Sequence, residues 1–500
     1  MANVQRNRGT WRSAAARGVV WLGVWASLFV AGCTVGPEYT RPEMDMPDTW
    51  TQSRTEGATE HGDPNEQVRW WAGLNDPVLD SLMEQALQAN RDLREAYFRI
   101  QESRANRVYA AGGRWPQVDA GASYTRSRSS ENGPAGGSGQ SMEEKGLYSA
   151  GFDAAWEIDL FGGIRRSVES AQAALEAAVD DYHGVQITLQ GEVASTYVEL
   201  RTIQLRIRYA EDNLRVQQRT LELTRSLFAA GRVSELDVKR AESASANTEA
   251  QVPPLKVAEI QAINRLAVLL GGFPGTLSED LATPGLIPQL SELWAVGLPA
   301  DLLRRRPDIR QAERQLAAQV AQIGVAQADR YPSFSLAGTF DLQARNASDW
   351  GSWASRAYSF GPNLRWNVFN GNRVTSTIKM REAVAEQARV RYEQTVLTAV
   401  EEVENALAAH AQEQDRNAAL ERAAAASEQS VTLVQTLYES GLTDFQDVLD
   451  VQRTLFDQQD NLAGSRGQMV QDAIRLYKAL GGGWAAPQDV SQDVPHGASR

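Results

Sequence analysis

The chain contains the same long segment twice. Trp156 and Trp366 open matching stretches 210 positions apart, and an earlier segment repeats at an offset of 216 positions. The matched pairs are Gly231 with Gly441, Asp237 with Asp447, Val238 with Val448, Leu270–Gly272 with Leu480–Gly482, Asp92 with Asp308, Ala96 with Ala312, and Trp115-Pro116 with Tyr331-Pro332. Since each copy of a repeat is one structural unit, the chain is a tandem duplication of about two hundred residues.

Each copy has the composition of long helices. The stretches 164–230 and 373–440 contain no proline and almost no glycine, and they are rich in helix-favouring residues. Each predicts a helix of about 100 Å at 1.5 Å per residue. Gly231 and Gly441 break these helices. Shorter helices are predicted at 235–270, 444–480, about 76–112 and about 300–330. Two short helices placed end to end have about the length of one long helix. These lengths predict a rod of antiparallel helices.

Between the short and the long helices, the sequence alternates with a period of two. Strands are predicted at about 115–126, 147–160, 331–343 and 356–369. One face of each strand is apolar and the other is small or polar, with aromatic residues toward the ends, which is typical of a transmembrane β-barrel. An amphipathic surface sheet that packs on the helices explains the same pattern, so the alternation alone leaves both interpretations open.

The number of strands restricts the membrane interpretation. Lipid tolerates only closed barrels, because an open sheet edge leaves backbone groups unpaired. The smallest ordinary barrel has about eight strands, so one chain with four strands cannot close it. If the strands span a membrane, several chains must share one barrel. The alanine-rich stretch from Ala406 to Ala426 favours helices that line a tube. An antiparallel coiled coil of the structural kind is the alternative.

The N-terminus has the organisation of a lipoprotein signal. Residues 1–32 carry four arginines, then a short apolar run, then Ala31-Gly32 before Cys33. This pattern predicts a secretory signal peptide that is too short to span a membrane. The segment Val30–Cys33 resembles a bacterial lipobox, in which Cys33 becomes the lipidated first residue with a diacylglycerol and an N-acyl chain. A stray cysteine behind an ordinary signal peptide is the alternative.

Composition excludes several classes of function. The formal net charge is −13 and no basic tract appears, which argues against a nucleic-acid partner. Four scattered His and one Cys provide neither a metal-ligand cluster nor a disulfide framework. The sequence has no Gly-x-Ser-x-Gly elbow and no phosphate-binding Gly-Lys loop. We therefore expect no enzyme activity, no metal and no cofactor apart from the covalent lipid on Cys33.

Several dispersed motifs resemble a known family. They are CTVGPEY at 33–39, WEIDLFGG at 156–163, PADLLRRRPDIRQAERQLAAQVAQIGVAQADRYPSFSLAG at 299–338, and VFNGNR at 368–373. In order and content they resemble the TolC-like outer-membrane efflux proteins, and in particular the lipoprotein branch that serves tripartite resistance–nodulation–division (RND) pumps. The resemblance covers essentially the whole chain after the signal peptide.

The resemblance implies an α+β membrane protein that works as a homotrimer. Three chains contribute four transmembrane strands each to one twelve-stranded β-barrel, and their antiparallel helices form a periplasmic helical barrel. The implied partners are a periplasmic adaptor protein, an inner-membrane RND transporter and outer-membrane lipid. The implied place is the outer membrane of a Gram-negative bacterium, where the lipid-anchored channel conducts small molecules passively from the pump to the exterior.

The implied gate lies at the two helix turns, Gly231 and Gly441. Asp237 and Asp447, each six residues past its glycine, match the family's tunnel-entrance acids, and Asp450 matches a second acidic ring. Asp447 and Asp450 are neighbours on one helix face. Asp444 and Tyr438 are further candidates for contacts that hold the tip closed. Caps and solvated surface charges are the alternative interpretation of these acids.

The sequence therefore predicts the following organisation. Its parts are a signal peptide (1–32), a lipidated extended arm (33–70), a first repeat (71–272), an equatorial linker (273–298), a second repeat (299–482) and a C-terminal tail (483–500). The competing function is a structural or adhesive outer-membrane lipoprotein with long coiled-coil rods. That alternative predicts no conductance and no strands in the membrane.

Overall fold

The computed structural model describes residues 34–51, 58–59, 68–128, 130, 144–289, 294–295 and 299–485. The chain divides into two compact units. The first unit comprises Met1–Pro42, Gln101–Ala177 and Glu313–Arg391, and the second comprises Glu43–Ile100, Ala178–Ala312 and Tyr392–Arg500. The elements in chain order are α1 (Pro77–Ala89), α2 (Arg91–Gly112), β1 (Gln117–Ser127), β2 (Lys145–Ile158), α3 (Gly163–Ala229), α4 (Glu235–Leu269), α5 (Pro307–Ala328), β3 (Ser333–Ala344), β4 (Arg356–Arg365), α6 (Arg373–Glu439) and α7 (Phe445–Ala479).

The first unit contains one four-stranded sheet. Its order is β1-β2-β3-β4, and every neighbouring pair is antiparallel. Ala120, Phe152, Phe340 and Tyr358 lie opposite one another in one row across the sheet. The next row has Asp119, Asp153, Thr339 and Ser359. Because side chains alternate along a strand, the aromatic row and the polar row lie on opposite faces.

The apolar face of the sheet is not covered by any other part of the described chain. Its large side chains are exposed: Val118, Tyr124, Phe152, Phe340, Tyr358, Phe360 and Leu364. The strands have 11, 14, 12 and 10 residues, about the length that crosses a membrane at a tilt. The exposure of this face does not fit the alternative interpretation, a sheet that packs on the helices, and the alternating pattern belongs to a sheet that is apolar toward its surroundings.

The long helices α3 and α6 have 67 residues each. Their return helices, α4 and α7, have 35 residues each, so the duplication is repeated in length as well as in sequence. Helix α4 continues through Pro253 and Pro254, although proline removes a backbone donor and usually ends or bends a helix. Among the described residues, none of the helices is both long enough and apolar enough to cross a bilayer.

The shorter helices are each interrupted at one residue, where the sequence predicted continuous helices. Asn90 separates α1 from α2 in an extended conformation, and its Oδ1 accepts from the Leu93 N–H at 2.9 Å, which caps α2. Arg306 separates a four-residue helix, Leu302–Arg305, from α5. Arg306 is extended because the proline that follows it disfavours helical dihedral angles.

These two interruptions form equivalent joints in the second unit. In the first joint, Asn90 Nδ2 donates to the carbonyl of Leu269, the last residue of α4, at 2.9 Å. In the second joint, Arg306 Nη1 donates to the carbonyl of Ala479, the last residue of α7, at 2.8 Å. Helix ends leave their final carbonyls without partners. In each joint, the side chain at the interruption therefore donates a hydrogen bond to the final carbonyl of the return helix.

The repeated Leu-Gly-Gly triplet completes each joint. Gly271 and Gly481 both have φ of +74°, a conformation that L side chains rarely adopt. A Cβ at Gly271 would lie 2.3 Å from the carbonyl oxygen of Ala89, and one at Gly481 would lie 2.9 Å from that of Arg305. The triplet is repeated because both helix ends approach the preceding helix too closely for a side chain.

A buried core surrounds each joint. Around the first joint lie Trp70, Trp71, Leu79, Leu82, Met83, Val193, Tyr197, Leu200, Leu266 and Leu281. Around the second joint lie Trp50, Leu302, Ile309, Tyr392, Val396, Val403, Leu407, Leu476 and Leu480. Fully burying a large aliphatic or aromatic side chain contributes about 1.5–3 kcal/mol. These two clusters hold the short helices on the long ones.

Helices α3 and α7, from different repeats, pack closely along a shared line. The Cβ of a residue at position 467 would lie 2.2 Å from Thr202 Oγ1, so Gly467 permits the approach. Further along, Arg206 makes a two-pronged ion pair with Asp460, at 2.7 and 3.1 Å. The carbonyl of Ser195 accepts from Gln471 Nε2 at 2.7 Å. These contacts fix the first hairpin, α3 with α4, against the second, α6 with α7.

We predict opposite effects for two glycines of α7. Gly467→Ala should lower the thermal unfolding midpoint, because the new methyl group overlaps Thr202. Gly464→Ala is the matched control: nothing lies within 4 Å of its Cβ position, so it should stabilise the helix by about 0.5–1 kcal/mol. Thermal unfolding of the two variants beside wild type would check this. Equal shifts in the same direction would contradict the close packing of α3 on α7.

Candidate functional site at the helix turns

The first turn joins α3 to α4 through Gly231. Its φ is +70°, and its N–H donates to the carbonyl of Phe228 at 2.8 Å. The Arg232 N–H donates to the carbonyl of Leu227 at 2.9 Å, so two carbonyls at the end of α3 are satisfied within the turn. Nothing lies within 4 Å of the Cβ position of Gly231. The glycine is therefore required by its backbone conformation and not by crowding.

Asp237 lies just inside α4 and takes part in a capping box. Its Oδ2 accepts from the N–H of Ser234 at 3.1 Å and from the Ser234 hydroxyl at 2.8 Å. The Asp237 N–H donates to Ser234 Oγ at 3.3 Å. A carboxylate in the first turn of a helix is also stabilised by the helix dipole. Capping, one of the two interpretations of this acid, is thus present in the structure.

The second turn has the same backbone and a different set of side chains. Gly441 has φ of +70°, and the N–H groups of Gly441 and Leu442 donate to Tyr438 and Leu437 at 3.0 and 2.9 Å. Asp444 begins α7 without any side-chain cap hydrogen bond. The Asp447 carboxylate accepts from the hydroxyl of Thr443. The second turn therefore carries two carboxylates where the first turn has a serine and an aspartate.

Asp447 and Asp450 form an exposed acidic pair on α7. Both side chains lie at the surface of the single chain. Asp450 Oδ1 accepts from Gln446 Nε2 at 3.1 Å, and no cation of the described residues forms an ion pair with either acid. Neighbouring like charges without a cationic partner raise the local negative potential.

The two hairpins pack together behind the turns through a small apolar cluster. We call it the tip cluster: Ala241, Val434, Tyr438, Phe445 and Val448. The rings of Tyr438 and Phe445 lie 5.5 Å apart in a tilted arrangement. Members come from α4, α6 and α7, and leucines of α3 pack against them. The cluster therefore links both turns into one structure.

Tyr438 places a polar group inside this cluster. Only 7% of Tyr438 is exposed. Burial raises the pKa of Tyr438, a hydrogen-bond interaction with the Thr224 side chain lowers it, and the negative charge of Asp237 raises it. The structure thus brings Tyr438 and Asp237 together, while Asp447 and Asp450 lie apart from them at the surface.

A buried hydrogen bond also crosses between the hairpins close to the tip cluster. Gln452 Nε2 on α7 donates to Thr220 Oγ1 on α3 at 3.0 Å. The sequence predicted neither this hydrogen bond nor the ion pair of Arg206 with Asp460. The partners lie 232 and 254 positions apart, and nothing in the helical pattern reveals which residues face each other across two repeats.

The turns also expose large apolar side chains. Leu442, directly after the second turn glycine, is 73% exposed, and Leu236 and Phe228 beside the first turn are exposed as well. The sequence interpretation overlooked them, although Leu442 next to a turn glycine is a detectable signal. Exposed apolar residues at a helix turn are suited to contact another protein.

Two further expectations concern the lipidation residue and metal binding. Cys33, the predicted lipidation residue, lies outside the described residues. Within the described part of the chain, no group of His, Cys, Asp and Glu is arranged to hold a metal ion.

We predict that Gly231→Val destabilises the first turn. A non-glycine residue in the left-handed region costs about 1–2 kcal/mol, and a β-branched side chain costs more. Hydrogen exchange of the amides in residues 225–240 should accelerate. Gly231→Asn is the control, because asparagine tolerates positive φ, and it should exchange nearly as wild type does. Unchanged exchange in the valine variant would count against a tight turn there.

Comparison with known proteins identifies the relatives of this fold. The sequence model of the family "Outer membrane efflux protein" matches residues 82–272 and 298–482. Nodulation protein T of Rhizobium leguminosarum bv. trifolii is 34% identical over 455 residues, which is 91% of this chain and 94% of the relative. The solvent efflux pump outer membrane protein SrpC of Pseudomonas putida is 32% identical over 94% of this chain and 99% of its own length.

A solved structure agrees with the sequence relatives. The outer-membrane channel OprN is 38% identical and superposes with a TM-score of 0.84 over 90% of this chain and 100% of its own. The predicted fold class, with duplicated repeats, four antiparallel strands and long helices, is confirmed by this likeness. The chain belongs to the outer membrane efflux protein family, and it is an outer-membrane channel of tripartite efflux pumps, not an enzyme.

Proposed function

We propose that three copies of this chain share one β-barrel, which forms the membrane-spanning part of the channel. The observation that carries the proposal is the four-stranded sheet, whose edges β1 and β4 have no strand partner among the described residues. In lipid these backbone groups need partners. Because the strand number is even, β4 of one copy can pair antiparallel with β1 of the next, and every edge is then closed.

The number three comes from the family resemblance, and the need for a lumen disfavours a smaller assembly. Two copies would give eight strands, and a barrel of about eight strands is filled by its own side chains. Three copies give a twelve-stranded barrel, which leaves room for a solute. The exposed apolar face would contact lipid, and the polar face with Asp119, Asp153 and Thr339 would line the lumen.

At the turns, we assign the acids to a periplasmic gate. In a trimer each carboxylate occurs three times, so Asp447 and Asp450 would form two negative rings around the axis. Asp444 adds a further charge at the start of α7. Tyr438 of α6 lies near Asp237 of α4. This proximity would hold the two helical hairpins of each copy together while the gate is closed.

The partners are an adaptor and an inner-membrane pump. A component of an efflux pump depends on both, since the channel itself has no energy source. For this chain we propose a periplasmic adaptor of the membrane-fusion type and an RND-type transporter. Leu236 and Leu442, exposed beside the two turns, supply apolar contacts for helical ends of the adaptor.

The transported compounds are small organic molecules. Relatives include outer membrane proteins of a solvent efflux pump, a toluene efflux pump and an antibiotic efflux pump, all from Pseudomonas putida. We propose passive conduction of this class of compound through the shared barrel to the exterior. The competing function, a structural or adhesive lipoprotein, leaves the family membership without an explanation.

We propose that the mature chain begins at Cys33, which carries a covalent lipid. The signal peptide 1–32 would be removed, and the arm 33–70 would connect the acylated residue to the first repeat. The repeats at 71–272 and 299–482 correspond to the two stretches that match the family model, 82–272 and 298–482. The linker 273–298 joins them, and residues 483–500 form the C-terminal tail.

Native mass spectrometry of the detergent-extracted mature protein tests stoichiometry and anchor together. We expect a trimer in which every protomer starts at Cys33 and carries the added mass of its acyl chains. A monomer would overturn the shared barrel. A trimer with an unmodified N-terminus would overturn the lipid anchor alone.

We predict that the acidic pair controls ion preference. Asp447→Asn combined with Asp450→Asn should reduce the cation preference and the block by divalent cations of single channels several-fold, because two rings of charge are lost. The matched control is Asp415→Asn with Glu428→Gln, which removes the same formal charge from exposed positions of α6. The same reduction in the control would show a general surface effect and would refute the lumenal assignment.

A further inference from the structure

The N-terminal arm is held in a built seat in the first unit. We use the name arm seat for Phe161, Gly162 and Arg166 at the start of α3, together with Glu313 and Gly324 of α5. The N–H of Val35 donates to the carbonyl of Phe161 at 3.1 Å, so the arm is attached within two residues of the proposed acylation position.

Arg166 is the principal contact of the arm seat. Its Nε donates to the carbonyl of Val35 at 3.1 Å, and its Nη2 donates to the carbonyl of Gly36 at 3.2 Å. Its Nη1 binds Glu169 at 2.7 Å, which keeps the guanidinium oriented. Arg166 is 4% exposed. Hydrogen bonds from a buried charged group to two carbonyls are stronger than neutral ones, so the seat recognises the backbone of the arm.

Two glycines make the close approach possible. Gly36 has φ of +99°, and its Cβ position lies 2.4 Å from Gly324 Cα. A Cβ at Gly324 would lie 2.7 Å from Arg166 Cγ. The arm, the helix α5 and the arginine therefore meet at positions where any side chain would overlap a neighbour.

Further contacts secure the arm at Tyr39 and Arg41. The hydroxyl of Tyr39 donates to Glu313 Oε1 at 3.2 Å, and Arg41 forms an ion pair with the same carboxylate at 3.0 Å. The guanidinium of Arg314 lies 5.8 Å from the centre of the Tyr39 ring. Glu313 is buried. The seat thus spans Val35 to Arg41 and is larger than one accidental contact.

The arm seat lies beside a group of aromatic residues at one end of the sheet. Gly162, which contacts Thr34, is four residues beyond the end of β2. Here the rings of Phe161 and Tyr331 stack at 4.6 Å, and the indoles of Trp156 and Trp366 donate to backbone carbonyls at 3.0 and 3.1 Å. Aromatic residues at the end of transmembrane strands mark the interface of membrane and water.

We propose that the arm seat is a positioning device for the lipid: it holds the arm from Thr34 to Arg41 beside this aromatic interface, so that the acyl chains enter the membrane against the strands of their own chain. Arg166, Gly36 and Gly324 are the positioning residues. The inference rests on the proposed acylation of Cys33.

Photo-crosslinking of the lipid tests this placement. Cells that express the full chain would be fed a fatty acid with a diazirine group, and crosslinks from the acylated residue would be mapped by mass spectrometry. Wild type should crosslink to residues at the aromatic end of β2 and β3. Arg166→Met and Gly36→Ala should lower this yield at least about threefold, because the bonds to the arm are lost, while fatty-acid incorporation stays the same. Glu169→Gln keeps both carbonyl bonds and is the matched control.

A distance measurement keeps the seat and the acylation distinguishable. Since Cys33 is the chain's one cysteine and is blocked when acylated, spin labels at Thr40→Cys and Ala174→Cys report the arm alone. We expect a narrow distance distribution in wild type and a broad one in Arg166→Met. A narrow distance distribution in Arg166→Met, or unchanged crosslinks in Arg166→Met and Gly36→Ala, would overturn the proposal. Absence of incorporated fatty acid would refute the acylation, and with it the positioning role, even if the labels showed a seated arm.

Discussion

The unpaired backbone of two strand edges governs this molecule. A four-stranded sheet with an apolar outer face has no stable place in water and none in lipid, because water meets its aromatic side chains and lipid meets its open edges. In the proposed assembly, further copies of the same chain close these edges. The two repeats supply the β-hairpins β1-β2 and β3-β4, and a sheet of two hairpins can continue in the same antiparallel order from one copy to the next. On this proposal, assembly is a condition of the sheet's stability.

The sequence predicted the architecture well, because the architecture is repetitive. Periods of two and of 3.6 residues distinguish strands from helices, and the matched glycines at 231 and 441 locate both turns. It did not predict the breaks at Asn90 and Arg306. Pro307 is a local signal for the second break, but the carbonyls that Asn90 and Arg306 bind come from residues 179 and 173 positions away along the chain. The same holds for Arg206 with Asp460. Local pattern carries no information about which faces of two long helices meet.

The candidate site shows a similar division. The acids at the turns were identified by position, and the capping box of Asp237 follows from Ser234 three residues earlier. The burial of Tyr438 was not foreseeable, because it depends on residues of other helices that pack around its ring. The two turns share one backbone and differ in charge. Both turns meet the same backbone requirement at their glycines, while the residues from 441 to 450 carry more net negative charge than the residues from 231 to 240.

The two joints show what duplication leaves free to change. The first joint uses a neutral amide, and the second uses a guanidinium that also pairs with Asp308 and Glu402 at 2.7 Å each. Neutral hydrogen bonds are nearly indifferent to ionic strength, whereas partly exposed ion pairs weaken as salt rises. The two joints, alike in shape, therefore differ in how they respond to the medium. A rise in salt weakens the ion pairs of Arg306 and leaves the amide hydrogen bond of Asn90 almost unchanged, so the duplicated framework has one joint that is sensitive to ionic strength and one that is not.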